Sequence, residues 1–447
     1  MRILAIETSC DETAVALLEI NPVRSRSPLD NRSRAFSRVA SNGVKESKKV
    51  TEVEILGNAL LSQTAIHAPM GGVVPSLAKR EHSNNLIPIL QSALKEAKYI
   101  KKKISEKIFS KQTEEKLKKM LSHEPDLYNA FVKFVPTIQK PNIDVIAVTS
   151  GPGLEPALWV GINFAQALSL VWDKPVVAVN HMEGHILSAM LEISGMQSVK
   201  RKASEKSVHA TRYTLHATQF PILSLLISGG HTELVLAKKF GSYKIIGETR
   251  DDAIGEAYDK VARMLGLPYP GGPEISKLAE VARAKNIVSQ YPLPRPMIKS
   301  GDLDFSFAGL KTAVLYTIKK NFKESKENVY DISNTSKMMI AREFEEAVAE
   351  VLVSKVRQAL EKTGAKTFAV GGGVIANKNI RAKLSKLIKT DFPQIKLFLP
   401  AQNLTTDNAV MIALAGYFSA KGGSSFGGKK SKTGSKKIVA SGNWRLG

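Results

Sequence analysis

The chain has 447 residues, a formal net charge of +23 and a single cysteine. That length holds two or three ordinary domains; the lone Cys10 excludes a disulfide scaffold and a cysteine zinc site, and suits a small buried residue in a reducing cytosol. The sequence contains no apolar run long enough to span a bilayer, and MRILAIETS lacks the apolar core and cleavage site of a signal peptide, so a cytoplasmic protein without membrane contact is expected.

Residues 2–7 (RILAIE) read as a buried strand and Ala14–Ile20 as a second, with the polar turn Thr8 to Thr13 between them. Residues 21–51 carry 8 basic and 2 acidic side chains and look like a hairpin extension interrupting the third strand. His82–Tyr99 has the periodicity of an amphipathic helix. Residues 98–140, with 11 basic and 5 acidic side chains, look inserted and locally helical before a strand at Asp144–Thr149. A helix over 156–171 and a strand at Pro175–Val179 follow. Residues 195–222 (5 basic, 1 acidic) and 421–447 (7 basic, none acidic) complete four basic segments; the remaining sequence is formally neutral. Such segments suit a polyanion, RNA above all, or serve as solvated loops. The Gly/Ser/Lys-rich tail after Gly422 reads as mostly disordered.

A second series opens at Ile222–Ile227, turns through Ser228-Gly229-Gly230-His231 and returns at Thr232–Ala237. The repeated strand–turn–strand opening predicts a duplicated α/β fold. A further strand, Thr367–Val370, ends in Gly371-Gly372-Gly373, as Asp144–Thr149 leads into Gly151-Pro152-Gly153. Glycine turns behind strands let a ligand approach the backbone, and several in two similar halves predict a nucleotide cleft. A fourth turn, Tyr269-Pro270-Gly271-Gly272-Pro273, follows a helix over 257–265. No Walker motif and no GxGxxG opening a helix is present.

His181-Met182-Glu183-Gly184-His185 carries the most specific chemistry. On a helix the two imidazoles lie within about 40° of each other and can share one metal ion. The same geometry sends Glu183 to the far side, unlike the base of HExxH hydrolases. Two partly exposed histidines without a metal are the plain alternative. Asp252, Glu256 and Asp259 share a helix face; Asp259 suits ribose hydroxyls, and a solvated face is the alternative. Asp407 precedes an apolar helix over 410–416, where capping is the ordinary role, and Asn377 suits a cap or a ligand donor.

Together, IETSCDETAVAL (6–17), GGVVPSLAKREH (71–82), TSGPGLEPALWVG (149–161), VNHMEGH (179–185), LLISGGHTELV (225–235), DDAIGEAYDKVARMLGLPYPGGP (251–273), LDFSFAGLKTA (303–313), GGGVIANKNIRAKL (371–384) and TTDNAVMIA (405–413) resemble the tRNA N6-adenosine threonylcarbamoyltransferase family. The resemblance implies the actin/sugar-kinase/Hsp70-like fold, two RNase H-like lobes around a nucleotide cleft. It implies transfer of threonylcarbamoyl from threonylcarbamoyl-AMP to N6 of adenosine 37 in tRNAs reading ANN codons. It further implies one divalent metal ion, Fe(II) before Zn(II), on His181, His185 and Asp407. Substrate contacts are implied at Leu226, Ile227, Ser228, Gly229, Gly230, Asp259, Gly272 and Asn377. The implied partners are tRNA, a paralogous non-catalytic subunit and a small ATPase. Two departures stand out: Ser276 where an aspartate is frequent, and Glu155-Pro156 where a second glycine is common. A metallopeptidase, a non-catalytic scaffold and an ATPase or sugar kinase of the same fold are the competing readings. The expected divisions are an N-terminal lobe over 1–221, a C-terminal lobe over 222–407, a helix over 408–420 packing back on the first lobe, and the tail.

Overall fold

The computed structural model describes residues 1–23, 50–100, 109–195, 212–215, 218–324, 330–422 and 438–447. The central parts of the four basic segments (24–49, 101–108, 196–211 with 216–217, and 423–437) lie outside these residues, and with them the expectations of a hairpin extension and of a disordered tail.

Seven strands build the first sheet: β1 (Arg2–Glu7), β2 (Glu12–Val23), β3 (Val50–Ser62), β4 (Val145–Gly151), β5 (Val176–Asn180), β6 (Leu191–Gly195) and β7 (Arg212–Leu215). Five build the second: β8 (Ile222–Ile227), β9 (Thr232–Lys239), β10 (Ser242–Glu248), β11 (Thr367–Gly371) and β12 (Lys396–Phe398). The orders are β5-β4-β1-β2-β3-β7-β6 and β10-β9-β8-β11-β12. In each, the opening strand pairs antiparallel with the next and parallel with a later one: β1 with β2 and β4, β8 with β9 and β11. Five strands therefore repeat one RNase H-like order, and β7 and β6 extend the first sheet beyond β3. The duplicated two-lobe α/β fold expected from the sequence is the one observed.

Helices α1 (Thr64–His67), α2 (Pro75–Glu96), α3 (Lys111–Met120), α4 (Pro125–Phe134), α5 (Glu155–Trp172) and α6 (His181–Ala189) belong to the first half. The second half holds α7 (Ile254–Met264), α8 (Gly271–Ala284), α9 (Ala308–Asn321), α10 (Asn334–Thr363), α11 (Lys378–Asp391) and α12 (Ala409–Ala420). Strand alternation distributes side chains to three layers of core. Leu4 and Ile6 of β1 pack with Leu86, Leu90 and Phe164 of α2 and α5 on one face. Ile3 and Ala5 point the other way, into a core shared with Leu226, Val235 and Ala369 of the second sheet. Leu223, Leu225 and Ile227 face outward again, toward Tyr258, Phe344 and Val348.

Helices α6 and α12 fill the space between the sheets. Every residue of α6 is buried, as is α12 from Ala409 to Tyr417, in keeping with a helix that is apolar nearly all round. Gly416 lets α12 press on β4: a Cβ there would stand 2.5 Å from that of Ala147.

The last ten residues dock on the body. Ser441 N donates to Ser150 O (2.8 Å), Gly153 N to Gly442 O (3.2 Å) and Asn180 Nδ2 to Trp444 O (3.2 Å). Arg445 grips both oxygens of Glu248 on β10, and Leu446 joins the inter-sheet core. Deleting residues 438–447 should therefore lower unfolding stability by about 2–4 kcal/mol in a denaturant titration, from lost hydrogen bonds and apolar burial; an unchanged midpoint would mean the segment is not docked in solution.

Candidate metal centre

Strand β5 runs into α6 without a loop. Asn180 caps the helix, its Oδ1 accepting from Met182 N (2.9 Å) and Glu183 N (3.3 Å), so His181 occupies the first helical position. One turn on, His185 lies with its ring centroid 4.8 Å from that of His181 and perpendicular to it. Both Nε2 atoms face Asp407 Oδ1, at 3.2 Å from His181 and 3.0 Å from His185. The capping role that its position gave Asp407 belongs instead to Asn408, whose Oδ1 accepts from Met411 N. Asp407 is thereby released to face the histidines.

The reverse side of His181 is also held. Its Nδ1 is 3.1 Å from Glu7 Oε2 and 3.2 Å from Ser9 Oγ, and Thr149 Oγ1 donates to the same Glu7 oxygen (2.6 Å). Glu7 is fully buried. A carboxylate behind a histidine fixes ring orientation and tautomer, the usual support of a metal-binding imidazole. The sequence reading missed Glu7: it ends the first strand, and nothing local ties it to a histidine 174 residues away.

Two imidazoles and one carboxylate, with their donor atoms within 4.8 Å of one another, fit a divalent transition metal. The electrostatics agree. Burial disfavours charge on Asp407, yet the two imidazoles hold it well below the usual carboxylate range. Burial, with Asp407 and Asp11 close by, pushes Glu12 well above its ordinary value, so negative charge is crowded here and a cation would relieve it. His231, in the turn after β8, is driven down to about 4 by burial and by the two other imidazoles. This third histidine was read only as part of a glycine turn. Cys10 is pushed well above an ordinary thiol by burial and Asp11, which suits a structural residue rather than a thiolate nucleophile. Glu183 accepts from Tyr243 Oη (2.8 Å) on β10 and takes no part in the cluster, which removes the residue on which the peptidase reading relied.

The glycine turns divide by function. An added Cβ at Gly229, Gly230 or Gly272 would meet nothing within 4 Å, so these backbones lie open to a ligand. At Gly153 it would strike Ser9, at Gly372 (φ 94°) the backbone of Ile227, and at Gly371 the backbone of His185 at 2.8 Å. Those glycines serve close packing of chain on chain. Leu226 and Ile227 are fully buried strand residues that position the Ser228 turn through the backbone. Asp259 Oδ1 accepts from Gly271 N (2.7 Å), which caps α8 and ties Asp259 to the Gly272 turn. Asn377 caps α11 through Ile380 N (2.9 Å), and its amide donates to Ser276 Oγ (2.8 Å) and to buried Glu345. Ser276 thus stands beside Asn377 on the second lobe. Of the other acids there, Asp252 just before α7 pairs with Lys260 and Lys311, and Glu256 on α7 with Lys260.

A two-lobed α/β protein, with its polar turns and a histidine–carboxylate cluster at the carboxyl ends of the strands, belongs to the class of α/β proteins that build their sites at those strand ends. The profile of the family "TsaD: tRNA N6-adenosine threonylcarbamoyltransferase" matches residues 54–111, 134–199 and 204–414. The tRNA N6-adenosine threonylcarbamoyltransferase of Polynucleobacter necessarius subsp. necessarius (strain STIR1) is 38% identical over 416 residues, 93% of this chain and 91% of that protein. The chain belongs to this family: it is a transferase that acts in threonylcarbamoyl modification of tRNA adenosine. Among solved structures, T. kodakarensis HypF is 12% identical with a TM-score of 0.41, covering 68% of this chain and 44% of that one. Acidaminococcus fermentans (R)-2-hydroxyglutaryl-CoA dehydratase component A is 12% identical with a TM-score of 0.39, covering 93% and 96%. Both are distant likenesses.

Three substitutions test the geometry. Glu7→Gln should weaken divalent-metal affinity roughly 10- to 100-fold in a chelator competition; full affinity would deny Glu7 its supporting role. Gly371→Ala should cost about 1–3 kcal/mol by overpacking against His185, whereas Gly272→Ala, in open space, should stay within about 1 kcal/mol of the parent. Equal effects in chemical denaturation would contradict the division of the turns.

Proposed function

We propose that the chain transfers threonylcarbamoyl from threonylcarbamoyl-AMP to N6 of adenosine 37 in tRNAs reading ANN codons and releases AMP. The observation that carries this reading is the convergence of His181, His185 and Asp407 beside the open Ser228-Gly229-Gly230 turn. His181, His185 and Asp407 would hold one divalent ion, Fe(II) or Zn(II) rather than Mg(II) because imidazole is a borderline-soft ligand, with Fe(II) placed first because two histidines and one carboxylate with open positions suit it. When bound, the ion supplies Lewis acidity that polarises the acyl carbonyl and steadies charge on its oxygen. Glu7 orients His181 from behind. Gly229 and Gly230 let the nucleotide half lie against the backbone, and Asp259 with Gly272 and Asn377 beside Ser276 flank it on the second lobe.

In the reaction the N6 amine forms the new C–N bond, the bond from the acyl carbon to the AMP phosphate oxygen breaks, AMP leaves with the electron pair, and N6 gives up a proton. An adenine amine is a weak nucleophile, so holding both reactants in register contributes as much as charge stabilisation. Burial of α6 between the sheets keeps that register rigid.

We further infer that the lobes divide near residue 221, with 408–420 returning to the first lobe, and that the enzyme works in the cytoplasm. A paralogous non-catalytic subunit and a small ATPase are its proposed partners. Among the described residues no helix is long and apolar enough to cross a membrane. Reconstitution with these partners, a synthase for the adenylate, tRNA, threonine, bicarbonate and ATP should yield modified adenosine by mass spectrometry. His181→Ala and His185→Ala should lose bound metal and transfer together. A metal-free variant with normal transfer would refute the role given to the histidines.

A further inference from the structure

Residues 112–133 lie between two stretches matched by the family profile, yet they fold into most of α3 and α4 and build one wall of a cavity of about 690 Å³. Lys116, Lys119 and His123 come from this inserted wall, Lys79 from α2, and Trp159 and Asn163 from successive turns of α5. The wall is tied down: Lys79 Nζ donates to His123 O (3.5 Å) and pairs with Glu124 (3.4 Å), and Asn163 Nδ2 donates to Glu124 (3.4 Å). Glu124, the acid among the lining residues, is buried and already paired, so the exposed rim, where Lys116 and Lys119 stand with His123 beside them, owes its positive charge to the two lysines. The half-buried indole of Trp159 lies among these cations.

We propose that this cavity binds a nucleotide of the substrate tRNA other than the adenosine that is modified, with a base against Trp159 and its phosphates against Lys116 and Lys119. An aromatic platform flanked by lysines in a concave site is the chemistry that takes an unstacked base from an RNA loop or end. The volume falls in the range of small-molecule sites, enough for a single nucleotide. The position also suits a second contact on the same RNA. Leu154, two residues before the cavity's Pro156, bonds through its N–H to Ser9 O (2.7 Å), and Ser9 touches His181. The cavity is thus on the outer layer of the first lobe, joined to the metal centre through one short loop. It rests on the reading of the chain as a tRNA-modifying enzyme.

The test is binding of an unmodified tRNA transcript to the full chain by fluorescence anisotropy across a salt series. The double variant Lys116→Glu with Lys119→Glu should weaken affinity about 10-fold or more at low salt and lower the salt slope by about 1–2. Trp159→Ala should weaken it roughly 10-fold, and Trp159→Phe should keep most of the affinity. Because Lys116 and Lys119 are exposed, the double variant should keep parental metal content and melting temperature. Parental tRNA affinity in the double variant would overturn the proposal and leave the functional reading intact, as would loss of a protein partner instead of tRNA. Absence of tRNA modification by the fully reconstituted parent would overturn both.

Discussion

Complete burial of one nine-residue helix is the constraint on which the rest of the structure depends. Helix α6 lies between two sheets, with α12 beside it, and carries two histidines that must keep one geometry. A helix in that place has no solvent face on which a misfit could be absorbed, and close-packed interiors transmit displacement. Glycines appear where neighbours press hardest: Gly371 against His185, Gly184 against Met411 and Gly416 against β4. The histidine–carboxylate cluster is therefore specified by packing as much as by its own side chains.

Duplication explains why the polar turns gather where they do. Each half places β1 or β8 at its centre with a parallel neighbour, so polar turns from both halves gather at the carboxyl ends of the strands. The first half contributes Glu7, Ser9 and the histidines; the second contributes the Ser228 turn and, through the loop before α12, Asp407. Because the histidine–carboxylate cluster is split between the two halves, its geometry depends on how the lobes are placed against each other. The C-terminal segment reinforces it, since its residues bond to Ser150, Gly153 and Asn180 on one lobe and to Glu248 on the other.

Most of this was legible in the sequence because it is periodic or local. The alternation of β1 and β2, the repeated hairpin opening at Ile222 and the His181–His185 spacing are each carried by residues near one another in the chain. Contacts across the chain were not legible. Glu7 behind His181, Asn377 beside Ser276 and Tyr243 on Glu183 join segments that no local pattern connects. Asp407 was ambiguous because it and Asn408 are both good caps; only the turn geometry decides that Asn408 caps. The Gly/Ser/Lys composition of the tail does not point to the short apolar and aromatic stretch at its end, where Ile438, Trp444 and Leu446 pack or bond to the body. Helix α2 begins at Pro75, earlier than periodicity indicated, because Gly71-Gly72 reads as a turn running into the helix.

One divalent ion held by His181, His185 and Asp407 is the proposal on which the chemistry turns. X-ray absorption at the edge of the metal that copurifies with the chain tests it most directly. The expected result is one ion per chain with two imidazole nitrogens and at least one carboxylate oxygen at about 2.0–2.2 Å, and loss of the imidazole signature in His181→Ala with His185→Ala. A shell without imidazole, or an unchanged spectrum in that double variant, would contradict it.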